Sequence, residues 1–166
     1  MLYFGTDERW TAPKRLFGCF DVPKELRPYV NDYKIKVFEI AWLNNKTIDL
    51  FQSDFRFLAK FFRAKRLNKK YIGSKEKIEH VEQTLKMFSA LTGDDSFERI
   101  YNDNDFRKKG GVTMCDVVDR IREEGKEEII RKLIESEAGS IEQIATWVKL
   151  PVAEVKKIAK KVPVLN

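Results

Sequence analysis

Two stretches of this chain read as β-strand, and they lie far apart: "LYFG" at residues 2–5 and "DYKIKVFEIAWL" at residues 32–43. In the second, Tyr33, Ile35 and Val37 alternate with Lys34 and Lys36. From Val37 onward the run is almost wholly apolar, with Glu39 the interruption, as in a strand buried on both faces at one end. Two strands alone rarely make a stable sheet. They want neighbours, and these are expected in residues upstream of the first strand. The expected fold class is α+β, mostly α.

The helical pattern is dense from Lys46 onward. Asp49 to Arg66 puts Phe51, Phe55, Leu58 and Phe62 on one stripe, widened by Phe57 and Phe61. Ser74 can cap a next helix striped by Ile78, Val81, Leu85, Phe88 and Leu91, with Gly93 as its stop. Asp94 or Asp95 can cap a short helix carrying Phe97, Ile100 and Tyr101. Thr113 with Asp116 opens a long charged helix to about Ser136, striped by Met114, Val117, Val118 and Ile121 and weakened at Gly125. Ser140 with Gln143 caps another helix, and Pro151 begins the last. Before residue 46, Leu16, Phe17 and Phe20 suggest a short helix, and Pro23 and Pro28 bound a second. "NDNDFRKKGG", residues 102–111, is the best linker candidate. The expected organisation is 1–46, the end of an α/β core; 47–109, a helical layer; and 112–166, a helical extension.

Charged residues make up 35% of the 166, above the usual quarter, which suits a soluble helical protein. No apolar run approaches the 18 or so residues of a membrane span, and the first ten residues lack an apolar signal core. Cys19 and Cys115 fit no metal spacing and read as small buried apolar residues in a reduced, cytoplasmic setting. The formal net charge of +6 permits nucleic-acid binding without proving it.

The order of segments carries a resemblance. "LYFG", Trp10, Pro13 with "RLF", and "DVPKELRPYVNDYKIKVFEIAWL" resemble the Rpn proteins, the recombination-promoting nucleases and transposase-related branch of the PD-(D/E)XK nucleases. "FQSDFRFLAKFFRAKR" and "GGVTMCDVVDRI" are similar to the same branch further along, so the likeness covers roughly residues 2–124. The resemblance implies a two-strand remnant of a nuclease core followed by a helical extension. It also implies that the catalytic acids, which hold a divalent metal such as Mg²⁺, lie before the segment that "LYFG" resembles. On that expectation this chain has no catalytic residue and no cofactor of its own.

Within the chain, Asp21, Asp32 and Glu39 are the acids that could form a D…DxK-type site. Glu39, amid apolar neighbours, more simply pairs with Lys34, Lys36 or Arg27. "KFFRAKRLNKK", residues 60–70, holds six positive charges and no acid. With Arg56 it gives the candidate nucleic-acid contacts Arg56, Lys60, Arg63, Lys65, Arg66, Lys69 and Lys70, whose signature would be salt-dependent binding. The alternative is a solvated helix face. "SIEQIATWVKLPVAEVKKIAKK" resembles a helix-turn-helix, with Ile141, Ile144 and Ala145 packing on Val152, Val155 and Ile158. Lys156, Lys157, Lys160 and Lys161 would decorate its second helix. A plain helical hairpin or oligomerisation tip is the alternative. His80, the sole histidine, reads as a helix-surface residue. There is no phosphate-cradling glycine loop and no Ser/His/Asp set.

The expected function is the non-catalytic C-terminal part of such an endonuclease, serving DNA binding or assembly. The expected partners are DNA and either a second copy or a full-length relative, with no membrane. The alternative is a stand-alone helical protein that binds and regulates a full-length relative.

Overall fold

The computed structural model describes residues 1–103, 106 and 110–160. The fold is α+β and mostly α. Strands β1 (Leu2–Tyr3) and β2 (Phe38–Glu39) form a parallel pair, with Leu2 opposite Phe38 and Tyr3 opposite Glu39. The long strand expected over residues 32–43 is therefore a two-residue ladder. Its first half pairs elsewhere: the Leu16 N–H donates to Tyr33 O and the Ile35 N–H to Lys14 O, both at 3.0 Å, around an antiparallel Arg15–Lys34 bridge. Its second half winds into a 3-10 turn, Ile40–Trp42. Tyr33 and Ile35 are exposed despite their alternation, because no second layer covers that face; Ile40 and Ala41 are the buried members. The two short helices expected before residue 32 are single 3-10 turns, Leu16–Gly18 and Arg27–Tyr29.

Helix α1 (Asn45–Ile48) is a single turn capped by Asn44, whose side-chain oxygen accepts from the Thr47 N–H at 2.9 Å. Helix α2 (Phe55–Arg66) starts later than Asp49 and is the wall between two cores. Phe57 and Leu58 are buried with Leu85, Phe88, Ile100 and Met114, with half-buried Phe61 packed against them. Ala59 packs instead with Ile40 and Ile48, beside Phe4, Leu43, Phe51 and Phe55. Phe62 reaches Phe4, ring centroids 4.9 Å apart. Each large side chain so buried contributes about 1.5–3 kcal/mol relative to exposure.

Helix α3 (Val81–Thr92) is not capped by Ser74, which accepts only locally, from the Glu76 N–H at 3.2 Å. The cap comes from Asp54, the residue before α2. Its carboxylate accepts from the N–H groups of Glu79 (3.1 Å) and His80 (2.7 Å) and from the Thr84 hydroxyl (3.3 Å). A carboxylate 6% exposed is thereby satisfied by the orphan donors at a helix start. Gly93 ends α3 in the left-handed conformation, φ 71°. Helix α4 (Ser96–Asn102) follows, its Ser96 N–H donating to Asp94 at 2.9 Å.

Helix α5 (Met114–Glu135) opens with the Thr113–Asp116 capping box and runs through Gly125. Its first turns bury Met114 and Val117 in the large core. Its far half buries Ile130 against Ile144, Ala145, Val155 and Ile158 of α6 (Ile141–Val148) and α7 (Val152–Ala159). Gly73 lies against the start of α5: at φ 83°, an added Cβ would sit 2.5 Å from the Met114 carbonyl oxygen. Of the expected linker, residues 104–105 and 107–109 lie outside the described residues, while Phe106 and Val112 are buried in the large core. Cys19 is exposed and Cys115 half-buried, rather than both being core.

Replacing Asp54 by Ala strands two helix-start N–H groups. The expected loss is about 2–3 kcal/mol, read as a lower urea midpoint with an unchanged slope. In the parallel ladder Leu2 and Phe38 share one face and are 51% and 53% exposed. With no third strand beside this pair among the described residues, the chain is expected to self-associate, and Leu2→Ser with Phe38→Ser to reduce this in concentration-dependent light scattering. A monomeric wild type contradicts the expectation.

Candidate nucleic-acid interface

The seven cations expected to meet nucleic acid divide by what they contact. Four half-buried ones, Arg56, Lys60, Arg63 and Arg66, serve the fold. Arg56 lies over the Phe57 ring at 5.1 Å, and its Nε is 3.1 Å from Glu76 Oε2. That N–H does not point along the contact, so the pair is coulombic rather than hydrogen-bonded. Lys60 pairs with Asp49 at 3.4 Å. Arg63 donates to Leu43 O at 2.9 Å and Arg66 to Ala41 O at 2.8 Å. These two guanidiniums tie the carbonyls of the 40–43 segment to α2, each bond adding roughly 1 kcal/mol. Arg66 also lies over the Trp42 ring at 4.5 Å, where Arg9 lies at 4.8 Å.

Lys65, Lys69 and Lys70 are exposed. They sit where α2 ends. Asn68 takes a left-handed conformation, φ 52°, while its N–H donates to Lys65 O (3.0 Å) and that of Lys69 to Ala64 O (2.9 Å). This pair of bonds is a Schellman turn, which fixes the direction in which the three lysines leave the helix. Three ammonium groups on a fixed turn can contact successive phosphates as point charges.

Two of the three candidate acids are held by arginines. Glu39 accepts from the Trp10 N–H at 3.0 Å and pairs with Arg9 at 3.4 Å, not with Lys34, Lys36 or Arg27. Asp32 pairs with Arg15 at 2.7 Å and accepts from the Phe17 N–H at 3.2 Å. The hydrogen bond from Arg15 holds its carboxyl below the usual range, slight burial opposes this, and the Phe17 N–H reinforces it. Asp21 is exposed. Among the described residues no group of three or more His, Cys, Asp or Glu side chains converges.

A second cationic surface lies on α6 and α7. Ser140 caps α6 reciprocally with Gln143. Lys149 then turns at φ 56°, its N–H donating to Thr146 O and that of Leu150 to Ala145 O at 3.1 Å, a second Schellman turn. Lys149, Lys156, Lys157 and Lys160 are exposed, and Lys156 approaches Glu142 at 3.9 Å. Lys161 lies outside the described residues. Lys149 was missed by sequence reasoning; the signal available was its place four residues after the apolar pair Ile144–Ala145 and just before Leu150-Pro151. The His80 imidazole is largely exposed, and only its backbone N–H is engaged deeply, by Asp54.

No family model, no curated protein and no solved structure matches the chain. No helix among the described residues is long and apolar enough to cross a membrane.

Because the folded-state Asp32 pKa lies below its unfolded value, the Arg15–Asp32 contact stabilises fully above about pH 4. It is lost as pH falls through the lower folded value. The Phe17 amide resonance is expected to move over that acid range, and Asp32→Asn to reproduce the acid position at neutral pH. An amide position unaffected by the substitution contradicts the assignment.

Proposed function

We propose that the chain is the DNA-binding and assembly portion of a PD-(D/E)XK-type DNA endonuclease of the recombination-promoting, transposase-related branch, acting in the cytoplasm and not cutting DNA by itself. The observation that carries the DNA-binding part is the exposed Lys65, Lys69 and Lys70 set on the Schellman turn that ends α2. Their neighbours Arg63 and Arg66 are spent on backbone carbonyls and hold that turn against the 40–43 segment. The family likeness rests on the collinear segments over residues 2–124. The reading that this chain does not cut agrees with Glu39 and Asp32 each being held by an arginine. Metal-assisted hydrolysis in such a nuclease belongs to acids other than these, and Mg²⁺ would be bound there.

The assembly part rests on the open apolar face of β1 and β2, where Leu2 and Phe38 lie side by side. That same face favours a second reading, a stand-alone protein that docks on a full-length relative and tunes its nuclease.

The test is fluorescence anisotropy of a labelled DNA duplex across a salt series. Binding is expected to weaken steeply with salt, and Lys65→Glu/Lys69→Glu/Lys70→Glu to lower the log–log slope by about 0.9 for each phosphate contact removed. An unchanged slope in the triple variant removes this cluster from the interface. Mg²⁺-dependent nicking of plasmid by the purified chain, abolished by Asp32→Ala or Glu39→Gln, overturns the non-catalytic assignment.

A further inference from the structure

Helices α6 and α7 carry a second set of exposed lysines, distinct from the α2 cluster. Its helices share their own buried cluster: Ile130 of α5, Ile144 and Ala145 of α6, Val155 and Ile158 of α7. Small Ala145 lets α7 cross close over α6, and the turn between them is only Lys149, Leu150 and Pro151. Leu150 packs back against this cluster. Pro151, with no N–H to leave orphaned, sits at the start of α7. Two short helices joined by a three-residue turn and braced by a third helix are the frame of a helix-turn-helix.

The outward face of α7 is what such a frame presents to a groove. At 100° per residue, Ala153, Lys156, Lys157 and Lys160 fall in one arc of about 100°, opposite Val155 and Ile158. All four are exposed. Ala153 keeps the arc shallow enough for a backbone to approach closely. The acid of this helix, Glu154, falls outside the arc and lines a groove toward α5 with Glu123 and Glu127, where Lys126 and Lys157 stand among them. Three acids against two lysines leave that groove net negative, so a polyanion is better received over Ala153 and Lys160.

We propose that α6 and α7 dock on duplex DNA with the Ala153 face of α7 in the major groove. Lys149, Lys156, Lys157 and Lys160 take phosphates flanking it. The arc lacks Arg, Asn and Gln, the side chains that pair bidentately with base edges, so the docking is weakly selective for sequence. B-form duplex is the ligand because its major groove admits a helix, whereas that of duplex RNA is too deep and narrow.

The test uses the full chain and a labelled DNA duplex. Lys157→Glu/Lys160→Glu is expected to weaken binding at least about tenfold and lower the salt slope by about 1.8, or 0.9 per lysine. The neutral pair Lys157→Gln/Lys160→Gln is expected to give the same slope change with a smaller loss of affinity. Ala153→Trp, which fills the docking face without altering charge, is expected to weaken duplex binding while leaving the circular-dichroism melt unchanged. Unaltered binding by Ala153→Trp, or duplex RNA bound as tightly as duplex DNA, overturns groove docking. If charge reversal on α7 has no effect while reversal at Lys65, Lys69 and Lys70 abolishes binding, this inference fails and the α2 interface stands. The opposite pattern leaves this inference standing and removes the α2 interface.

Discussion

The burial of α2 on two sides constrains everything around it. A twelve-residue helix that gives Phe57 and Leu58 to one core and Ala59 to another has little free circumference left. Its cations must serve the narrow remaining face, and most of them become fasteners. Arg63 and Arg66 satisfy two carbonyls of the 40–43 segment, whose single 3-10 turn engages the Ile40 carbonyl instead. Asp54 does the same at the other end of the helix, reaching across to the start of α3. Charge on α2 reaches solvent freely only where the helix ends, and that is where a phosphate could approach.

The helical half was legible in the sequence because its signals are local. The Thr113–Asp116 and Ser140–Gln143 capping boxes, Gly93 and Pro151 each act within one turn, so residue type and spacing suffice. The stripe of α2 was also readable, since every phenylalanine on it found a core. What could not be read was long-range. Asp54 caps a helix 26 residues away from it in sequence, so Ser74 looked like the better cap. The alternation of Tyr33 and Ile35 promised a buried face, but a strand is made by its partner. The partner available was residues 14–16, with no layer above.

The candidate site divides the same way. Composition located the basic run at residues 60–70, yet not which members are occupied. A guanidinium that reaches a backbone carbonyl leaves no mark in the sequence, so Arg63 and Arg66 were indistinguishable from Lys65 and Lys69. The helix-turn-helix pattern fared differently, because its buried positions, Ile144, Ala145, Val155 and Ile158, are read off helical periodicity alone. Lys149 is the exception there: a left-handed lysine is uncommon, and glycine is what the turn would ordinarily call for.

The account therefore rests on two exposed lysine groups, at the end of α2 and on α7, meeting one polyanion while the paired cations do not. Lysine acetylation of the whole chain, read by mass spectrometry with and without saturating DNA duplex, measures this directly. The account predicts protection of Lys65, Lys69, Lys70, Lys157 and Lys160, with Lys60, paired with Asp49, labelled equally in both states. Equal labelling of the first five with and without duplex would contradict it.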